Sequence, residues 1–324
     1  MTFDMLACIA SEFEQCLRSC IVKIAIALLA LFTCLPCSAD AFDWRDVDGK
    51  NYVTPARDQM PAGTCWAFGA IAAVESRWLI QNDLPGGDID LSEQNLICGG
   101  AGALYGGHLR SAFQYIWDVG VVSEDELPYT ASATSPYWPL DSGWEDRVWK
   151  LEESDPDTLG NLAPFTALML GNIGVGIEDY WGRNAMIRAS LRQYGPLTCI
   201  VFSGNMSGYY TPPPDGWGPT KAGASPNHIV TIVGYQDMPD ASGGYWIIKN
   251  SWGGGWGDGG FGYMRYGDIE KYVSVYAITG DMVRIPEPPT LFLLISGGFL
   301  LRIRPLNTHI IRNLCSGHSL RSGR

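Results

Sequence analysis

CWAFGAIAAVESRWLI, residues 65–80, holds apolar residues on most sides and no proline. That is the pattern of a helix buried inside a domain rather than laid on its surface. Thr64 stands before it in the N-cap position, after the turn-forming Pro61–Gly63. Cys65 therefore falls at the positive end of the helix. A lone cysteine at such a place is more often a packed small residue than a nucleophile, so the rest of the chain has to decide.

Working outward, a second helical pattern, HLRSAFQYIWDVG, follows Gly106–Gly107 and stops at Gly120. A third, NAMIRASLRQYG, spans 184–195. Strand-like runs cover 147–153, 196–204, 228–235, 244–252 and 272–278, divided by Gly, Pro and Asp. Helices first and mostly strands afterwards predict an α+β chain of two lobes with a cleft between them.

The 324 residues, 46% hydrophobic and 17% charged, suit a globular protein with one large two-lobed domain. The net charge is −12, and the last 23 residues carry five arginines and no acid, so the body is more acidic still. Such a surface argues against nucleic acid or an anionic membrane as the ligand. Of nine cysteines only Cys65, Cys98 and Cys199 lie in the body, and an odd number leaves at least one free thiol. The histidines form no cluster, so neither metal nor cofactor is expected. GGGWGDGG, residues 253–260, lacks the Lys-Ser/Thr pair and following helix of a phosphate cradle.

The two ends read as addresses. IAIALLALFTCL, residues 24–35, has the length of a signal-peptide apolar region, with Lys23 before it. Cys37-Ser38-Ala39 or Ala39-Asp40-Ala41 supplies the small residues for cleavage. Residues 1–41 are thus assigned as a signal peptide, although Asp4, Glu12 and Glu14 are atypical of its first part. At the other end, 281–304 contain Pro286-Glu287-Pro288, an apolar run from Leu291 to Leu301, and arginines. This resembles the PEP-CTERM sorting signal of bacteria, which implies a membrane-embedded sorting enzyme as a partner. The bland alternative is a last buried strand, against which prolines 286, 288 and 289 argue. Residues 305–324 form a basic tail.

Gln59 lies six residues before Cys65, His228 opens the apolar strand HIVTIVGY, and Asn250 lies in IIKNSWG. A thiol acts as a nucleophile when ionised, and a helix N-terminus and an imidazolium both favour the thiolate. An imidazole must be held in one tautomer, which Asn250 does if it accepts from the second ring nitrogen, with Trp252 covering that bond. The side-chain amide of Gln59 and the backbone N–H of Cys65 supply two donors for an oxyanion.

In this arrangement the chain resembles the papain-like cysteine peptidases over roughly 42–280. The matching stretches are collinear: FDWRD at 42, GTCWAFGAIAAVES at 63, LSEQNLI at 91, GG at 106, NHIVTIVGY at 227 and YWIIKNSWGGGWGDGGFGYMR at 245. The resemblance implies a helical lobe carrying Cys65, a β-barrel-like lobe carrying His228 and Asn250, and a cleft that hydrolyses peptide bonds through an acyl-enzyme. It further implies that Gly106 and Gly107 receive an extended substrate backbone. Ile200 and Pro226 would line a side-chain pocket, with His108 and Leu109 nearby, and Glu75 has a structural or a substrate role. Protein or peptide substrates are the expected partners, with membrane contact only through the terminal segments. A non-catalytic surface-binding module and an acyl transferase using the same residues are the alternatives.

Three departures stand out. Ala62 and Leu104 occupy positions where the family has a disulfide pair, and Cys98 has no partner where the family places one. Residues 154–183 lack a counterpart and read as an insertion, more a surface elaboration than a wall of the cleft. No inhibitory segment is seen between the leader and FDWRD, so control falls to export, the insertion or another protein.

Overall fold

In the computed structural model of the chain, residues 39–132, 140, 143–153, 163–169, 180–204, 225–238, 243–267, 274–285, 291–294 and 300–303 are described. The apolar run at 65 becomes helix α1 (Cys65–Gln81), in which every residue from Trp66 to Ser76 is buried. Its end is closed by Asn82, whose side-chain amide donates to the Trp78 carbonyl at 2.8 Å. Helix α2 (Glu93–Cys98) starts at Ser92, whose hydroxyl accepts the Asn95 N–H at 3.0 Å, an N-cap in the usual sense. Helix α3 (Leu109–Asp118) buries Leu109, Ala112, Phe113 and Ile116, one stripe at helical spacing. Between them, β2 (Gly102–Ala103) and β3 (Gly106–Gly107) form a short hairpin.

The other lobe is built on a seven-stranded antiparallel sheet. Its order is β5 (Phe165–Met169), β10 (Ser274–Ile278), β6 (Leu197–Val201), β7 (His228–Asp237), β8 (Gly244–Lys249) and β9 (Phe261–Arg265), with β1 (Ala41–Asp43) added to the far end of β7. The ladder is open, so the barrel-like lobe is a sheet with β5 and β9 as its edges. Strand β7 is buried from His228 to Tyr235, which explains why its sequence is continuously apolar instead of alternating. Helix α4 (Tyr180–Tyr194) packs on this sheet.

The packed body is slightly longer than 42–280. It starts with Asp40 and Ala41, and β11 (Asp281–Arg284) pairs with β4 (Trp149–Glu152). Arg77 of α1 holds this crossing, donating to the Gly280 carbonyl at 2.9 Å and to Asp281 at 2.7 Å. Within the expected insertion, 165–169 form an edge strand of the main sheet, so this part belongs to the sheet and is not a surface elaboration. The remainder, 154–162 and 170–179, lies outside the described residues. Leu291–Leu294 (β12) and Leu300–Ile303 (β13) pair with each other, and residues 286–290, 295–299 and 304 of the PEP-containing segment are likewise outside the described ones. Among the described residues no helix is long and apolar enough to cross a membrane.

One apolar core runs from α1, α2 and α3 into the sheet. Phe113 of α3 meets Phe165 of β5 with ring centroids 5.5 Å apart. Among the described residues Cys65, Cys98 and Cys199 form no disulfide; Cys199 is buried, while Cys98 is half-buried.

Candidate active site

Gly69 on α1 packs directly against Ile229 on β7. This contact brings the first turn of the helix beside the first residues of the strand. The Cys65 thiol lies within hydrogen-bonding reach of the N–H of Ile229, the residue after His228, and of the N–H groups of Trp66 and Cys65 itself. Burial pushes the thiol above its ordinary value, and those N–H groups pull it back only in part. Thr64 occupies the N-cap position but its side chain makes no capping bond. Its hydroxyl instead pairs with that of Tyr129 at 2.7 Å, and Tyr129 donates to the Gln59 carbonyl at 2.9 Å.

His228 is 4% exposed, and its Nε2 lies 2.8 Å from Oδ1 of Asn250. An amide oxygen only accepts, so Nε2 carries the proton and Nδ1 is left with a lone pair. Trp252 lies over this bond, its ring 4.8 Å from the imidazole at a 30° tilt. Burial lowers the imidazole pKa more than the Asn250 bond raises it. Among the described residues no hydrogen bond joins the thiol to the imidazole. Thiol and imidazole are thus both biased toward their neutral forms here, the reverse of the ion pair that a helix N-terminus and imidazolium alone would favour. Such contacts tighten when substrate is held between the groups.

Gln59 is 6% exposed and fixed at both ends of its amide: Oε1 accepts from Ser251 Oγ at 2.6 Å, and Nε2 donates to the Ala62 carbonyl at 2.6 Å. The second Nε2 hydrogen remains for a ligand. The Gln59 N–H also donates to the Ser251 carbonyl at 2.9 Å, so the loops carrying Gln59 and Asn250 are joined. Ser251 and Tyr129 are positioning residues that sequence reasoning passed over. Ser251 stands inside the motif IIKNSWG and Tyr129 in none of the quoted stretches, and their roles depend on contacts over 192 and 70 residues.

The Gly106–Gly107 hairpin lies on the same corner. A Cβ at Gly107 would sit 2.5 Å from the Trp66 ring, and one at Gly63 would sit 3.0 Å from the Tyr105 backbone. Trp66 Nε1 donates to the Ala103 carbonyl at 3.1 Å. Gly107 and Gly63 are glycines because the ring and the backbone approach too closely for a side chain, whereas a Cβ at Gly106 would meet open space. Ile200 is half-buried opposite Ile229 in the sheet, and Pro226 is exposed just before His228. His108 is exposed before α3, whereas Leu109 is 2% exposed and packs in the core.

Glu75 resolves to a structural role. It accepts from Thr54 Oγ1 at 2.5 Å and from the Leu91 N–H at 2.9 Å, and Thr54 accepts from Lys249 Nζ at 2.7 Å. Glu75, Glu93 and Lys249 are all buried around a cavity that also touches Asn250 and Ser251. Burial raises both carboxyls and lowers the amine. A lysine inside the apolar run YWIIK was the available sign of this cluster. Among the described residues no group of three or more His, Cys, Asp and Glu is arranged to hold a metal ion.

A helical lobe and a sheet lobe meeting at Cys65, His228 and Asn250 define an α+β fold of the papain type. The family described as "Papain family cysteine protease" matches residues 38–279, and the chain belongs to it. Falcipain-3 of Plasmodium falciparum is 31% identical over 68% of this chain, and fruit bromelain of Ananas comosus is 31% identical over 70%. The chain spans 40% and 55% of the lengths of those two relatives, and 61% of a cysteine protease of Blomia tropicalis that is 29% identical. Among solved structures, digestive procathepsin L2 proteinase from the Tenebrio molitor larval midgut matches with TM-score 0.56 at 26% identity, covering 74% of this chain and 67% of that one. The Ananas comosus bromelain protease in complex with the E64 inhibitor matches with TM-score 0.54 at 26% identity, covering 74% and 98%.

Proposed function

We propose that the protein is a thiol-dependent endopeptidase with Cys65 as nucleophile, His228 as proton carrier, Asn250 as its orienting partner and Gln59 as an oxyanion donor. The observation that carries this reading is the 2.8 Å His228–Asn250 bond under Trp252, one residue from the Ile229 N–H that reaches the Cys65 sulfur. In the reaction, the Cys65 proton passes to Nδ1 of His228 and the sulfur attacks the peptide carbonyl carbon. The carbonyl oxygen takes the negative charge beside Gln59 Nε2 and the Cys65 N–H. As the tetrahedral species collapses, the C–N bond breaks and His228 returns the proton to the leaving amine. Water, deprotonated by His228, then attacks the thioester and releases the acid and the thiol.

Gly106 and Gly107 receive the substrate backbone, and Ile200 and Pro226 contribute to a side-chain pocket. The address-like ends support an exported, envelope-associated bacterial protein: a leader that ends ahead of the packed body, a peptidase domain that runs through β11, and a PEP-containing sorting segment before the basic tail. The epoxide inhibitor E64 tests the site. Incubation of the purified protein and digestion should give one adduct, on Cys65, and Cys65→Ala should lose both adduct and peptide hydrolysis. An adduct elsewhere, or undiminished hydrolysis by Cys65→Ala, overturns the assignment.

A further inference from the structure

The sequence offers two bonds at which the leader could be removed. One cut follows Ala39, with Cys37 and Ala39 as its small residues; the other follows Ala41, with Ala39 and Ala41. The two differ in what they leave attached to the fold. Asp40 is exposed but joined to the body by several bonds. Its carboxylate accepts from the Tyr235 hydroxyl at 2.5 Å and from Arg192 Nη2 at 2.7 Å. Its carbonyl accepts the Asp237 N–H at 2.8 Å, and its own N–H points at Asp237 Oδ2 at 3.4 Å. Ala41 is the first residue of β1, opposite Gln236. A cut after Ala41 would discard all of these ties and leave Arg192 without its carboxylate.

From this geometry we infer that the mature chain begins at Asp40, an inference that rests on the export reading above. Water hydrolyses the Ala39–Asp40 peptide bond, leaving a carboxylate on the departing leader and an α-ammonium on Asp40. The ammonium forms where the Asp237 carboxylate already receives Arg188 at 2.7 and 2.8 Å and Tyr266 at 2.8 Å. A neutral N–H donor becomes a charged one with three hydrogens, which strengthens the contact. Removal of the leader therefore adds a charged contact at Asp237 and leaves the ties of Asp40 in place.

The position also says which enzyme makes the cut. Asp40 sits beside Asp237, while His228 is at the opposite end of the same ten-residue strand. At about 3.3 Å per residue the two ends lie roughly 30 Å apart. The Cys65 site cannot reach the Ala39–Asp40 bond of its own molecule, so the cut is made in trans, and the small residues Cys37 and Ala39 before the bond point to a leader-removing endopeptidase rather than a second copy of this chain.

The test is to express the full chain in an exporting bacterial host and read the N-terminus of the exported protein by Edman degradation and intact mass. Asp40 as first residue is the expected result, in the parent and in Cys65→Ala alike. A start at Phe42 or any other processed residue overturns the inference. Retention of Met1 overturns the export reading with it. An uncut Cys65→Ala beside a cut parent overturns the assignment to a separate enzyme. Ala39→Arg should abolish the Asp40 start, and its persistence would count against this bond. E64 labelling of the same samples reports separately on the peptidase site, so a chain that starts at Asp40 but takes no label sinks only the peptidase reading.

Discussion

A methyl group added to Gly69 would lie 2.6 Å from Cγ2 of Ile229, closer than side-chain carbons come. This single contact sets how α1 lies on β7, and with it how Cys65 faces the strand that begins at His228. Gly69→Ala should lower stability by about 1–3 kcal/mol, since overpacking outweighs the gain in helix propensity. It should also reduce kcat/KM by shifting Cys65. Adding Ile229→Ala removes the clashing carbon, so the double variant should recover part of the loss in activity. Thermal melts and peptide hydrolysis on the four proteins of the cycle check this.

Asn250 accepts from both His228 and the Ser251 N–H, so its oxygen orients the imidazole and shapes the loop. Asn250→Ala should lower kcat/KM by on the order of 10²-fold through misplacement of the ring. Ser251→Ala should act more mildly: it frees Gln59 Oε1, loses a bond of about 1 kcal/mol, and should reduce kcat with little change in KM. Steady-state kinetics on one fluorogenic peptide separates the two. An unchanged kcat in Ser251→Ala would remove Ser251 from the oxyanion support.

The motifs around Cys65, His228 and Asn250 were legible because each carries its chemistry in a short window. The α1 helix and the β6, β7, β8 and β10 strands were legible for a similar reason, as unbroken runs of one period. Strands β1, β5, β9 and β11 were not: they run three to five residues, and each exists by pairing with a neighbouring strand. The same holds inside the site. Nothing local marks Ser251 as the partner of Gln59, or Thr54 as the bridge from Lys249 to Glu75.

The Lys249 ammonium is buried with Thr54 and two glutamates around it. Removing one charge from such a set leaves the others uncompensated, at a cost of about 3 kcal/mol. Lys249→Met should therefore lower Tm sharply. Lys249→Met combined with Glu75→Gln should regain part of it, because the orphaned carboxylate is gone. Calorimetry on the two variants decides, and equal losses would mean that the charges do not interact.

His228 gives the pH dependence of stability a definite sign. Its folded pKa is held below the ordinary 6.5 by burial, so the unfolded chain binds the proton more readily. The contribution is fully present above pH 6.5 and is lost as pH falls through the lower folded value. Glu75, Glu93 and Glu124, raised by burial, act in the opposite sense, so the His228 share is read as a difference: from pH 7.5 toward pH 5 the urea midpoint of the parent should fall relative to that of His228→Gln. A parallel slope in both proteins would exclude His228 as the source.

Ala62 and Leu104 stand where the resemblance led one to look for a cross-link, and the three cysteines of the described body form no disulfide. Redox conditions then act on the chemistry and not on the scaffold. A reductant strong enough to return an oxidised Cys65 to the thiol has no bridge in that body to open. Refolding from denaturant needs no oxidative pairing step, and the protein can be handled throughout in the reducing buffer that keeps its nucleophile alive.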